Sequence, residues 1–595
     1  MRLLLTFLLG IVSAFYFSDL ISRISHKVKF LSAISFNFGL LGLLAVVAGL
    51  AFGTLNQADP VLTLLSALVA GSGFGILAYQ VMSRSFLVAP QVESSFIERH
   101  EGQIDRLLEM LPGALTWLAL TSPIWLSYAL PLAVAYLIII ADVYWLFSAF
   151  RYSITIFIGY RRVQKVTKTN WLERLEQDFP NQWQNYYQMF VIPTFKEGLE
   201  ILAPAIDAIV NSNYPSKKIF IAVGFEERDD PAKIEQTTKY LQKYASKMAG
   251  IITTIHPYKL PGEVPGPGTN RNWLINHSTD KFKKLGIDPS QVFVTTLDAD
   301  FVVHPQFAAG ALHKYLSQPS DMRDVYSYTG VFFFTNNYWQ APTPMRLIAT
   351  GTGFWQLSEM VVSDKYINYS SMSMNLQSLL DVGLWPPNRV NDDSGFYWKA
   401  YYHFKGKYKV LPHFLPISGD AVLDVTLLKT FQNQYLQLKR WAYGVEHIPF
   451  IFRQYFKNKN VDFWDKTDKL TFIMWSYFKW GTLALFITFG GLLIPVFNPT
   501  YSQSVVAYNL SIVSSWILTL AFVGLFTTVY VNEKTVPPRP KNWGVVQRVW
   551  SYAQWALVPV VLVTIATFPA IDAQTSLMLG RYMAFRVTNK ARVLK

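Results

Sequence analysis

The sequence predicts an α/β domain with a mostly parallel sheet, inserted between N- and C-terminal sets of transmembrane helices. Three observations predict it: apolar runs of spanning length lie only towards the two ends, the middle alternates short apolar runs with polar helical stretches, and charge is scarce. Only 15% of the 595 residues are charged and 51% are hydrophobic, which excludes intrinsic disorder and argues against an ordinary soluble protein. The absence of cysteine excludes disulfide frameworks, Cys-ligated zinc and cysteine nucleophiles.

A spanning helix needs about 20 mostly apolar residues to cross the hydrocarbon core. Residues 3–18, 30–53 and 61–82 qualify, and 111–150 is a longer run interrupted by Pro112, Pro123 and Pro131. In the last quarter 470–496, 505–531 and 549–570 qualify. The first run could be a cleaved signal peptide, but its charged start is only Arg2 and no clear small-x-small cleavage site follows. Arg23, Lys27 and Lys29 place the first connector inside, and the next connector, 53–59, has no Lys or Arg. If 111–150 crosses twice, the middle region is cytoplasmic in an integral membrane protein, with the plasma membrane the expected location. Residues 151–175 mix Arg151, Arg161, Arg162, Lys165 and Lys168 with Tyr152, Tyr160 and Trp171, a pattern suited to an interfacial helix on anionic membrane lipids. No nucleic-acid recognition module accompanies the +14 charge, so nucleic acid is not an expected partner.

The expected organisation is transmembrane helices over 1–150, an interfacial helix over 151–184, the α/β domain over 185–450, interfacial and transmembrane helices over 451–580, and a basic tail over 581–595. Within the domain, strands are predicted at 188–193, 218–223, 251–256 and 292–297, with helices at 198–209 and 231–248. Strand followed by helix favours parallel pairing, with ligands bound beyond the strands' C-terminal ends. A Pro/Gly-rich loop is expected over 259–268.

Three clusters could carry chemistry. Asp298 and Asp300 follow an apolar strand and could grip a divalent ion, Mg²⁺ or Mn²⁺, that neutralises a diphosphate. D-x-D is expected about once by chance in a chain of this composition, and a solvated strand-end turn leading to His304 is the plain alternative. Asn391-Asp392-Asp393 could supply a general base, although Asp393 could equally cap the helix that follows. Gln437, Arg440 and Trp441 stand at i, i+3 and i+4 of a helical stretch, where Arg can fork onto phosphate and Trp can carry a sugar ring. The alternative there is an anchoring Trp beside a snorkelling Arg.

In order and spacing these clusters resemble membrane-embedded family 2 glycosyltransferases, the group containing cellulose, hyaluronan and chitin synthases. Ile192-Pro193-Thr194-Phe195-Lys196-Glu197 is similar to the family's first-strand nucleotide motif, Leu297-Asp298-Ala299-Asp300 to its metal-binding D-x-D, Asn391-Asp392-Asp393 to its T-E-D, and Gln437 to Trp441 to its Q-x-x-R-W. Phe585-Arg586-Val587-Thr588-Asn589-Lys590 resembles the gating loop F-x-V-T-x-K. The resemblance implies a GT-A-like fold with Asp393 as catalytic base and Asp298 and Asp300 as metal ligands. It implies nucleotide contacts from Pro193, Thr194, Glu197, Glu226, Asn270 and Arg440, acceptor contacts from Gln437 and Trp441, and gating by Phe585, Val587, Thr588 and Lys590. In Pro267-Gly268-Thr269-Asn270-Arg271-Asn272-Trp273 the family's lysine is replaced by Pro267, and Glu226-Glu227 stands where an Asp pair is usual.

The expected reaction is an inverting, metal-dependent transfer of a hexose from a nucleotide sugar, a UDP-sugar by resemblance, to a growing polysaccharide exported across the membrane. The alternatives are a single transfer to a lipid carrier or glycolipid, and a non-catalytic transporter. Gating at Phe585 requires the tail to share the cytoplasmic side with the domain. Pro559 and Pro569 would permit this by making 549–570 a hairpin or re-entrant segment.

Overall fold

A computed structural model of the chain describes Thr6, Gly10, Ala14, residues 67–73 and residues 94–585. The expected spans near the N-terminus, apart from the helical stretch 67–73, fall largely outside these residues. So do Val587, Thr588 and Lys590.

One eight-stranded sheet organises the middle of the chain. Its strands are β1 (Tyr187–Pro193), β2 (Ile219–Glu226), β3 (Gly250–His256), β4 (Val292–Thr296), β5 (Val302–Val303), β6 (Ser327–Phe333), β7 (Ser373–Asn375) and β8 (Val410–Ser418), in the order β3-β2-β1-β4-β7-β6-β8-β5. β1 pairs in parallel with β2 and β4, and β2 with β3. These four strands are the ones expected from sequence; β1, β2 and β4 are buried on both faces, as parallel strands under helices are, while the edge strand β3 is partly exposed. The other half departs from a mostly parallel sheet: β7 runs antiparallel to β4 and β6, and β5 antiparallel to β8. Only β6 and β8 are parallel there. The architecture is a mixed sheet with a parallel half.

Five helices among the described residues are long and apolar enough to cross a membrane: Glu101–Ala129, Pro131–Thr167, Phe463–Phe497, Ala507–Thr535 and Val545–Met578. Pro112 and Pro123 lie inside the first of these, so the only break in the expected 111–150 run falls at Leu130, where Pro131 opens the next helix. That helix continues through the basic, aromatic stretch to Thr167, and a separate short helix, Trp171–Asp178, follows. The longer helix's basic and aromatic side chains are partly turned to the domain: Arg151 pairs with Glu359 at 2.9 Å, and Tyr152 donates to the carbonyl of Gly351 at 3.0 Å.

The last span, interrupted by a π-helical stretch over Leu562–Thr567, meets the sheet domain at both ends. Trp550 donates to Thr343, and Asp572 accepts from Tyr435 at 2.9 Å and Lys439 at 2.8 Å. Arg106, at the start of Glu101–Ala129, donates to the carbonyls of Leu577 and Met578. The segment therefore leaves the domain and returns to it, bringing Met583 to the hydroxyl of Tyr443.

Candidate functional site

The C-terminal ends of β1, β2 and β4 converge beyond the sheet. At the end of β1 the N–H of Thr194 donates to the carbonyl of Gly224 at 2.8 Å, while Glu197 accepts from the Thr194 hydroxyl at 3.1 Å and the Phe195 N–H at 2.8 Å. Lys196 holds a φ of 72°, an uncommon conformation for a side chain of its size, and its N–H donates to Asp229 at 3.1 Å. Pro193 is buried as the last residue of β1. Glu226 ends β2 in an ion pair with Arg228 at 2.5 Å, and the Arg228 guanidinium lies over Phe195 at 4.1 Å and Tyr258 at 5.0 Å. Asn270 donates to the carbonyl of Gly224 at 2.9 Å, and its buried Oδ1 has no hydrogen-bond partner. A β-carbon at position 224 would overlap that oxygen, so the close approach requires glycine.

Asp298 is half-buried at the end of β4, and Asp300 is buried with one oxygen accepting the N–H of Asp420 at 2.7 Å. Among the described residues no group of three His, Cys, Asp or Glu side chains could hold an ion unaided. Two carboxylates still suit a hard divalent ion whose shell is completed by diphosphate oxygens and water. His304 accepts the N–H of Gln306 through Nδ1 at 3.2 Å, a turn contact in keeping with its sequence position before proline.

Asp392 and Asp393 open the helix Asp392–His403, so Asp393 lies in the first turn and Asn391 is the N-cap residue, which corrects the capping alternative. Sequence reasoning missed their partner. Arg271, on the helix Pro267–Leu285, donates through Nη2 to Asp392 at 2.9 Å and through Nη1 to Asp393. A signal for it exists: Arg271 occupies the same stripe as buried Leu274, Ile275, Ser278 and Phe282, and a cation in a buried stripe requires a counter-charge. Burial alone would lower the Arg271 pKa, but Asp393 and Asp392 hold it above its ordinary value. Asp392 is pushed up, first by burial and then by Asp393, against the pull of Arg271. Asp393 is the more exposed of the pair.

Arg440 belongs to the same electrostatic group. Burial lowers its pKa, while Asp298, Asp392 and Asp393 oppose this. Its Nε is buried without a hydrogen-bond partner, and its guanidinium lies 4.7 Å over the ring of Phe585. Three separated motifs and the incoming tail thus meet around Arg440 and Arg271. Gln437 accepts from Gln434 at 3.3 Å, and Trp441 packs into an apolar cluster with Leu347, Ile348, Trp555 and Val561. Trp441 follows Arg440 by one residue, roughly 100° around the helix, and so faces the helices instead of the carboxylates.

A second missed layer lies behind. Glu446, buried after Leu427–Ala442, accepts the N–H groups of Val390 and Asn391 at 3.0 and 2.9 Å, and His447 Nε2 lies 2.9 Å from the Ser394 hydroxyl. Burial raises Glu446 to about 7 and lowers His447 to about 3. These groups fix the backbone that presents Asp392 and Asp393.

Residues 189–373 match the family model described as Glycosyl transferase family 2, a match that ends before Asp392 and Arg440. No curated protein matches the chain. Among solved structures it is similar to a mannosyltransferase from Pyrobaculum calidifontis solved with GDP-Man and Mn²⁺, at 13% identity and TM-score 0.37 over 72% of this chain and 99% of that one. It is also similar to residues 1–349 of S. aureus TarS, at 14% identity and TM-score 0.30 over 67% of this chain and 92% of that one. Residues 189–373 are thus similar to glycosyltransferase family 2 domains, in a chain whose flanking helices are long enough to cross a membrane.

Proposed function

We propose that the chain transfers a sugar from a nucleotide-sugar donor, with inversion, to the hydroxyl of a growing polysaccharide that the flanking helices pass across the membrane. The observation that carries this reading is the convergence of Asp298, Asp392, Asp393 and Arg440 beyond the C-terminal ends of β1 and β4. Asp393, the more exposed acid, accepts the proton of the attacking hydroxyl, and Arg271 orients it. Arg440 has a guanidinium N–H to spare and stabilises the charge that develops on the departing diphosphate. A Mg²⁺ or Mn²⁺ ion held by Asp298 and Asp300 would share that charge. Asn270, with its free Oδ1, and the clamped Thr194–Glu197 turn hold the nucleotide, and the resemblance favours uridine. Phe585, seated on Arg440, is the part of the tail suited to cover it.

The test is turnover of a panel of labelled UDP-sugars by purified protein, with and without Mn²⁺ or Mg²⁺, with the products sized. A ladder of lengths supports polymer synthesis. A single-sugar lipid product would replace it with the lipid-carrier reading. Wild-type incorporation by both Asp298→Ala and Asp393→Asn would overturn the catalytic assignment.

A further inference from the structure

A second cationic site lies away from the carboxylates, where the membrane helix Pro131–Thr167 meets β8 and the helix Phe307–Leu316. β6 and β8 lose register here: Thr329 pairs with Pro412, but Val331 pairs with Pro416, so His413, Phe414 and Leu415 bulge from the ladder. Phe414 holds a φ of 63°, an outlier for a bulky residue. Such bulges re-aim side chains, and this one sets Phe414 under the guanidinium of Arg162, 5.2 Å from the ring centroid. Lys314 stands close enough that the charge of Arg162, after burial, lowers its pKa, and Lys314 in turn acts on His413.

Among the described residues neither Arg162 nor Lys314 has an ion-pair or hydrogen-bond partner for its side chain, although both are half-buried. His413 is 6% exposed, and its Nδ1 accepts the N–H of Leu415 at 3.3 Å. Burial keeps the ring neutral, so the proton sits on Nε2, which is buried with no hydrogen-bond partner. Two cations without a counter-charge and a buried, unsatisfied N–H donor on neighbouring elements are the groups that an oxyanion takes.

The site's level in the fold points to phosphate. Tyr160 meets Tyr530 edge-on at 6.3 Å, and Lys534 lies 5.9 Å over Tyr530, the aromatic and basic belt that marks a membrane headgroup layer. Arg162 is two residues further, about 3 Å along the helix.

We propose that Arg162, Lys314 and His413 form a binding site for a phosphate group, supplied by an anionic lipid headgroup or by a soluble phosphate. The full chain in maltoside micelles, which contain no phosphate, is probed separately with phosphatidylglycerol and with inorganic phosphate. Thermal unfolding and native mass spectrometry give the readouts. At least one probe is expected to bind wild type and raise its unfolding temperature, and neutralising each cation weakens that binding about tenfold. Arg162→Gln combined with Lys314→Gln then abolishes the shift, while its unfolding temperature without probe stays level or rises because no ion pair is lost. A response to phosphatidylglycerol alone identifies the lipid source, and a response to inorganic phosphate alone identifies a soluble one. Equal responses of wild type and double variant to both probes, or no response of wild type to either, would overturn the site. A large loss of stability in the double variant without probe would show instead that the two cations serve the fold.

Discussion

Nη2 of Arg271 lies 2.9 Å from Oδ2 of Asp392, and the pair is buried where the helices Pro267–Leu285 and Asp392–His403 begin. Gly268 makes the contact possible, since a β-carbon there would overlap the Asp392 carboxylate. Removing the cation while leaving the acid strands a charge away from water. Arg271→Met is therefore expected to cost about 3–5 kcal/mol of stability, read as a lower unfolding temperature in detergent. Adding Asp392→Asn should recover part of that loss, which a double-mutant cycle quantifies.

Glu446 gives stability a pH dependence of definite sign. Its folded-state pKa, about 7, lies above the ordinary value of 4.5, so the folded protein binds the proton more tightly than the unfolded chain. The contribution is fully present below about 4.5 and is lost as pH rises to about 7, on the order of 3 kcal/mol across that window. Glu446→Gln keeps an oxygen for the N–H groups of Val390 and Asn391 and should flatten this part of the profile. Denaturant unfolding of both proteins across pH 4.5–7 checks it, and an unchanged slope in the variant would refute the assignment.

The parallel half of the sheet was legible because its strands are short apolar runs bounded by turn residues, and burial of β1, β2 and β4 on both faces leaves little else for them to be. β7, three residues long, and β8, with two prolines and a bulge, carry no such periodicity, since their pairing is set by tertiary contact. The same division holds at the site. Asp298, Asp393 and Arg440 were conspicuous in sequence, as carboxylates at strand and loop ends and a cation beside Trp. Arg271 and Glu446 were not, because they act through partners more than 50 residues away. Trp441 shares a helix face with Gln437 and Arg440 on spacing alone, yet it packs into the apolar cluster of Leu347, Ile348, Trp555 and Val561.

Gly224 is expected to be intolerant of even one carbon. Asn270 occupies the space a β-carbon would take, and its Nδ2 is already committed to the Gly224 carbonyl at 2.9 Å. In Gly224→Ala the Asn270 side chain must move or the strand must shift, at about 1–3 kcal/mol. With Asn270 proposed as a nucleotide contact, the donor KM should rise about tenfold while kcat changes little. A fall in kcat at constant KM would place Asn270 outside donor binding.

The contact between Arg440 and Phe585 predicts how the tail acts on the donor. A ring 4.7 Å from a guanidinium contributes about 0.5–2 kcal/mol, the more when water is excluded, and Phe585 also packs against Gly266 at the start of the helix bearing Asn270 and Arg271. If the ring closes over the nucleotide, Phe585→Ala weakens the closed arrangement, and nucleoside diphosphate should dissociate about 2- to 30-fold faster. Phe585→Tyr, which keeps the ring, should retain most of the affinity. Stopped-flow release of a fluorescent UDP analogue measures both. Equal release rates in wild type and Phe585→Ala would mean that the ring packs beside the site without covering it.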